Sequence, residues 1–214
     1  MGGARRFTDR TDAGAQLATA LRERDLDADI ALAIPRGGLP LGRAVADALD
    51  VPLDIVVAKK IGAPGNPEYA IGAVASDGSV WRNETAFRGT SANEDYFQEM
   101  RETEAANARQ KADRYRGDRP EPDLTDKTVV VVDDGVATGS TVRACLKRLQ
   151  NTDAERIVLA VPVGPPSTIN ELQDEADDVV CLETPSGFQG VGQFYENFAQ
   201  VSDEEAMEYL ESET

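Results

Sequence analysis

The chain has 214 residues, 41% of them hydrophobic, which is enough for one sizeable α/β core, and 39 acidic against 22 basic residues give it a formal charge of -17. It contains no histidine, which excludes histidine-based nucleophilic triads, histidine-containing zinc sites and histidine general bases, and leaves acid–base work to carboxylates, lysines or the substrate. Lysine is scarce (Lys59, Lys60, Lys111, Lys127 and Lys147 only), and so acidic a surface reads as adaptation to high intracellular salt and disfavours binding to nucleic acid or an anionic membrane.

No run approaches eighteen apolar residues, and Met1 to Arg10 has basic residues without the apolar stretch of a signal peptide, so a soluble, cytoplasmic protein is expected. Thr11 to Arg24 reads as a helix with Ala13, Leu17, Ala20 and Leu21 on one face. Asp29 to Ile34 reads as a first buried strand, broken by Pro35-Arg36-Gly37-Gly38. A helix through Leu41, Val45 and Leu49 leads to a second strand, Leu53 to Ala58. The Gly/Pro-rich stretch Gly62 to Pro67 is expected to be irregular. Ala70 to Ser76 and Ser79 to Arg82, separated by Asp77-Gly78, predict a hairpin. Ser91 with Glu94 three residues on predicts a capping box for a long helix to about Arg116, with Phe97, Met100, Ala105, Ala108, Ala112 and Tyr115 inward. Thr128 to Val132 is a β-branched strand of the kind buried on both faces, and a helix through Leu146 and Leu149 follows it. Arg156 to Val161 and Asp178 to Leu182 supply two more strands, joined across Gly164-Pro165-Pro166 and a short helix. An aromatic segment from Phe188 to Phe198 precedes a last acidic helix capped by Ser202 and Glu205. Cys145 falls in a predicted helix and Cys181 in a predicted strand, so both are expected to be reduced thiols.

This alternation of strands and helices predicts a parallel-sheet α/β domain, with no repeat and no interdomain linker. Its chemical centre is the strand ending in Asp133-Asp134, followed by Gly135-Val136-Ala137-Thr138-Gly139-Ser140-Thr141 and a helix N-terminus. Loop N–H groups and hydroxyls can wrap a phosphate, the helix dipole favours its charge, and Gly139 lets the backbone come close. The two acids are left for diol hydroxyls and a metal, and two adjacent carboxylates with no cation between them should repel. A Walker A loop is excluded, because three residues separate Gly135 from Gly139 and no lysine follows. The dinucleotide Gly-x-Gly-x-x-Gly fingerprint is missing after every predicted strand.

Val129 to Thr141 resembles the phosphoribosyl-pyrophosphate signature of type I phosphoribosyltransferases over its full length. The resemblance implies the fold of that family: a mostly parallel central sheet flanked by helices in one domain over residues 1–214. A β-ribbon with a flexible lid at about 61–70 and a small hood, from the N-terminal segment and about 183–214, would complete it. It also implies that Asp133 and Asp134 hold the ribose 2′ and 3′ hydroxyls, partly through Mg²⁺, and that Ala137, Thr138, Gly139, Ser140 and Thr141 bind the 5-phosphate. Arg36 and Gly37, in the loop after the first strand, and Lys59-Lys60, at the end of the second, resemble the groups that bind and neutralise pyrophosphate. The stretch Lys59 to Glu68 and the tail Phe188 to Glu205 resemble a little-characterised branch of predicted phosphoribosyltransferases, and the acidic composition points to haloarchaeal members of it.

At Ala137 the hypoxanthine-guanine enzymes carry a proton-exchanging Asp, so the loop is closer to adenine and orotate enzymes, and Glu68, the only carboxylate of the lid, becomes the candidate base. Phe188, Phe194 and Tyr195 are candidates for a wall against the acceptor, the alternative being a small satellite core under the last helix. The expected partners are therefore phosphoribosyl pyrophosphate, Mg²⁺ and a small nitrogenous acceptor, with neither nucleic acid nor membrane, and a homodimer is compatible with the resemblance. The other reading is a regulator that senses phosphoribosyl pyrophosphate without turnover. Regulators of that kind usually add a nucleic-acid-binding element, which this acidic chain does not show.

Overall fold

The computed structural model describes residues 7–211. In chain order the elements are α1 (Arg10–Arg22), β1 (Ile30–Ala33), α2 (Gly38–Leu49), β2 (Leu53–Ile55), β3 (Ala58–Ala63), β4 (Asn66–Ala75), β5 (Val80–Arg82), α3 (Glu84–Arg88) and α4 (Glu94–Arg116). They continue with β6 (Thr128–Val132), α5 (Ser140–Gln150), β7 (Arg156–Val163), α6 (Pro166–Leu172), β8 (Asp178–Glu183), a 3₁₀ turn (Val191–Phe194) and α7 (Asp203–Glu211). The chain forms two compact units. One comprises the part up to Ile55, Pro122–Thr138 and the part from Asp153 on; the other comprises Val56–Glu121 and Gly139–Thr152.

The first unit is a five-stranded parallel sheet in the order β2-β1-β6-β7-β8. Val129 to Val132 are fully buried, as a strand covered on both faces requires, and they pair in register with Ile30 to Ala33. From β1 the chain winds outward to β2, and from β6 it winds the other way to β7 and β8, so the direction reverses between β1 and β6. The loops leaving these two neighbouring strands open side by side at the carboxyl edge of the sheet, where ligands of open α/β sheets bind. Helix α1 begins at Arg10, one residue before the predicted start, because the Asp9 side chain accepts the Asp12 N–H at 2.9 Å and caps it. The predicted capping box of α7 is present, Ser202 and Glu205 each accepting the other's main-chain N–H.

The second unit carries an antiparallel sheet in the order β3-β4-β5, with α4 and α5 packed on it. Asp77-Gly78 makes the predicted turn between β4 and β5, with Asp77 accepting the Ser79 N–H at 2.9 Å and Gly78 at φ +93. The stretch Gly62 to Pro67, expected to be irregular, is instead the tip of a second hairpin. Ala63 pairs with Asn66, Gly65 takes φ +74 at the turn, and the register shifts around Gly62 take up the irregularity. Asn93, not Ser91, caps α4, accepting the Tyr96 N–H at 2.8 Å. The predicted inner face of that helix is buried at Phe97, Ala105, Ala108, Ala112 and Tyr115, and Met100 is partly buried. Cys145 and Cys181 are both reduced thiols, neither of them in a disulfide. No helix among the described residues is long and apolar enough to cross a membrane.

Candidate functional site

In the first unit the loops after β1 and β6 meet at Asp134. Its carboxylate lies flat against Gly37, where an added Cβ would fall 2.1 Å from Oδ2. A side chain at residue 37 would occupy the position of the acid, so glycine is required for the two loops to approach. The Pro35–Arg36 peptide is cis. Asp133 Oδ1 accepts the Asp134 N–H at 2.9 Å, and the next residue, Gly135, takes φ +151 with Val191 and Val163 against its Cα, a position without room for a Cβ. Thr168 Oγ1 donates to the Ala137 carbonyl at 3.0 Å and holds the start of the loop after β6, while Ala137 and Thr138 are exposed.

Asp134 carries two contacts that have no local signal in the sequence. Arg10, the first residue of α1, donates through Nε to Asp134 Oδ2 at 2.8 Å, with only 12% and 15% of the two side chains exposed. The same guanidinium donates through Nη1 to the Ala199 carbonyl at 2.6 Å and lies 4.0 Å from the centre of the Phe198 ring. The Tyr195 hydroxyl donates to the Asp134 carbonyl at 2.6 Å. Burial pushes the Asp134 carboxyl above its ordinary value and the Arg10 guanidinium pulls against that shift. Arg36 points toward α7, its Nη1 3.6 Å from Asp203.

The aromatic segment is mostly core. Phe194 and Tyr195 are buried, Phe194 stacked on Phe188 at 5.6 Å, and Tyr195 packed on Phe7 at 5.4 Å and on Phe198 at 4.9 Å. Of the three candidate acceptor residues only Phe188 keeps half-exposed surface. Residues 7 and 8 hold this segment by main-chain bonds, Phe7 N–H to Phe194 and the Glu196 and Asn197 N–H groups to Phe7 and Thr8. A cavity of about 170 Å³ is lined among others by Arg10, Pro40, Ala199, Glu205 and Tyr209.

The second unit holds the other candidates. Gly139 caps α5 at φ +77 with no side-chain hydrogen bond to the helix end, and in the first turn Ser140 is buried and Thr141 half-buried. Lys59 and Lys60 are not at the end of the second strand but inside β3, opposite Val74 and Ala73. Successive residues of a strand point to opposite faces, so the two ammonium groups cannot act as a pair on one ligand face; Lys59 is half-buried and Lys60 exposed. Glu68 is exposed near the tip of β4. Among the described residues no three or more Cys, Asp or Glu side chains gather to hold a metal ion. Two acids, one of them bound to Arg10, fit Mg²⁺ only where phosphate oxygens complete its shell, which is how the ion is usually held.

A phosphoribosyl transferase domain matches residues 7–198, and the chain belongs to that family. It is 40% identical over 205 residues to a protein of Mycobacterium tuberculosis H37Rv named "Putative phosphoribosyl transferase Rv0571c", a match covering 96% of this chain and 46% of the relative; the chain thus spans about half the length of the curated relatives it matches. It is also 40% identical to the crystal structure of TT1426 from Thermus thermophilus, covering 96% of this chain and 97% of that one with a TM-score of 0.80. A protein of Aquifex aeolicus, AQ2163, shares the fold alone, at 12% identity and a TM-score of 0.50 over 82% of this chain and 74% of that one.

Proposed function

We propose that the protein is a Mg²⁺-dependent phosphoribosyltransferase that moves the 5-phosphoribosyl group of phosphoribosyl pyrophosphate onto a nitrogenous base or related acceptor, in a cytoplasmic nucleotide-salvage role. The observation that carries this reading is the Asp134 carboxylate seated on Gly37 where the sheet direction reverses: one loop offers an acid pair, the other a close backbone approach. On this reading Asp133 and Asp134 accept hydrogen bonds from the ribose hydroxyls and stabilise positive charge developing on the sugar. Ala137 to Thr141 take the 5-phosphate, and Arg36, Gly37 and one lysine of β3 take the pyrophosphate. Mg²⁺, held by Asp133 with ligand phosphate oxygens, would supply charge neutralisation for the leaving group.

In the step itself a ring nitrogen of the acceptor forms its bond to C1 of the ribose while the C1–O bond to pyrophosphate breaks, and pyrophosphate leaves with the bonding pair. The acceptor's proton passes to Glu68 and from there to solvent. The buried state of Phe194 and Tyr195, which leaves little open aromatic wall, favours the second reading, a sensor of phosphoribosyl pyrophosphate without turnover. Incubation with phosphoribosyl pyrophosphate, Mg²⁺ and a panel of nucleobases in high salt, with pyrophosphate release as readout, separates them. Release with one base establishes the enzyme and its acceptor, binding without release establishes the sensor, and absence of binding overturns both.

A further inference from the structure

Arg10 occupies a place that a helix does not favour for a cation. It is the first residue of α1, at the end where the exposed N–H groups carry partial positive charge. What holds it there is external to the helix: Asp134 on one side, and the Ala199 carbonyl and the Phe198 ring on the other. The carboxylates of Asp9 and Asp12, on the same first turn, are engaged with main-chain N–H groups of Asp12 and Thr8. Arg10 is thus directed at the acid pair, and it meets Asp134, whose carboxylate also lies against Gly37 in the loop after β1.

We propose that Arg10 is the resident counter-cation of the acid pair. By holding Asp134 it reserves that carboxylate for hydrogen bonds from sugar hydroxyls and withholds the pair from free divalent metal, so that a divalent ion enters only on the phosphates of the ligand. This is a positioning role, and it rests on the phosphoribosyl reading above. Three observations support it. Asp134 Oδ2 is taken up by Nε at 2.8 Å and pressed on Gly37, so a metal would have to bind beside the guanidinium charge and compete with it for this oxygen. Mg²⁺ and Mn²⁺ need several oxygen ligands, and no group of three or more metal-ligating side chains exists among the described residues. Finally, the guanidinium is fixed by the Ala199 carbonyl and the Phe198 ring, so it does not swing away to solvent as an unheld surface arginine would.

The test is Mn²⁺ uptake by the free, full-length protein, followed by the electron paramagnetic resonance signal of the unbound ion at high salt, which suppresses diffuse binding to the acidic surface. Wild type and Asp134→Asn should take up the same amount. Arg10→Gln should gain one equivalent, bound about tenfold or more tightly than any in wild type, since removing a neighbouring positive charge changes a carboxylate's affinity for a cation by at least that factor. Arg10→Gln with Asp134→Asn should lose the gain. Arg10→Lys, which keeps the charge but gives up the planar contacts to Ala199 and Phe198, should not show it.

If wild type takes up one equivalent more than Asp134→Asn, the proposal is overturned without recourse to any Arg10 variant. It is equally overturned if folded Arg10→Gln gains nothing, or if Arg10→Lys gains as much as Arg10→Gln, which would make the effect one of segment geometry. Binding of phosphoribosyl pyrophosphate with Mg²⁺ to the wild type is measured separately; its absence would sink the functional reading while the Mn²⁺ result still decides the role of Arg10.

Discussion

Tyr195 donates its hydroxyl to the main-chain carbonyl of Asp134 over 2.6 Å while its ring packs on Phe7 and Phe198. Burial, and then the nearby Asp134 charge, push the phenol well above its ordinary value. The folded protein therefore keeps this proton at a pH where the unfolded chain, titrating near 10, has lost it. The stability this contributes is complete below about pH 10 and is lost as pH rises beyond it. Tyr195→Phe should cost about 1 kcal/mol at neutral pH and flatten the alkaline fall in stability, measured by urea unfolding at about pH 8 and about pH 11. An unchanged alkaline slope would show that the fall arises elsewhere.

Two adjacent carboxylates without a cation should repel, and on that ground neutralising them would stabilise the fold. The Arg10 contact reverses the expectation for Asp134. Asp134→Asn leaves a mostly buried guanidinium facing a neutral amide, so it should lower stability by about 1–3 kcal/mol while Mg²⁺-dependent binding of phosphoribosyl pyrophosphate disappears. Denaturant melts and calorimetric titration check the two halves.

Gly37→Ala adds a methyl group that would fall 2.1 Å from Asp134 Oδ2, and the acid cannot retreat without leaving Arg10. We expect a loss of about 1–3 kcal/mol in stability, as for other overpacked sites, together with weakened ligand binding. The same substitution at Gly117, where a Cβ meets nothing but φ is +57, should cost stability without affecting binding. Equal effects on binding at the two positions would remove Gly37 from the site.

Glu68 stands exposed on β4, where Glu68→Gln can hardly disturb packing. If it accepts the acceptor's proton, turnover should fall ~10²- to 10⁴-fold while the affinity for phosphoribosyl pyrophosphate stays within about a factor of two. Parent-level turnover would return the residue to an ordinary strand position.

A net charge of -17 repels itself, and added salt should remove that cost. The melting temperature is expected to rise between about 0.1 M and about 3 M KCl, a range over which the Debye length falls from roughly 10 Å to below 3 Å. A flat curve would leave the high-salt adaptation unsupported.

What was legible in the sequence is what local chemistry determines. The β-branched run Val129 to Val132 can only be a strand covered on both faces, Asp77-Gly78 can hardly be other than a turn, and Ser202 with Glu205 marks a helix start. The hairpin tip at Pro64-Gly65 was not legible, because Gly and Pro mark a tight turn and an irregular loop alike, and only the pairing of Ala63 with Asn66 distinguishes them. The two lysines of β3 looked like a pair because neighbours in sequence are close in space, yet a strand sends them to opposite faces. Arg10 is the instructive omission. Its contact with Asp134 spans 124 positions, and the only trace in the sequence is a cation on the first turn of a helix that prefers anions there.

The main-chain pairing of residues 7 and 8 with residues 194 to 197 also bears on how the protein is made. Closing so long a loop adds little to the entropy cost, which grows only with the logarithm of length, but it places the closure after every strand of the parallel sheet has been made. A nascent chain that has already emerged through β8 has every strand of its parallel sheet, yet Tyr195 has not reached Asp134 and Arg10 has neither Phe198 nor Ala199 beside it. The acid pair therefore acquires its full surroundings only once residues 195 to 199 have been made, so a chain stalled between β8 and those residues would hold a folded sheet with an unfinished site.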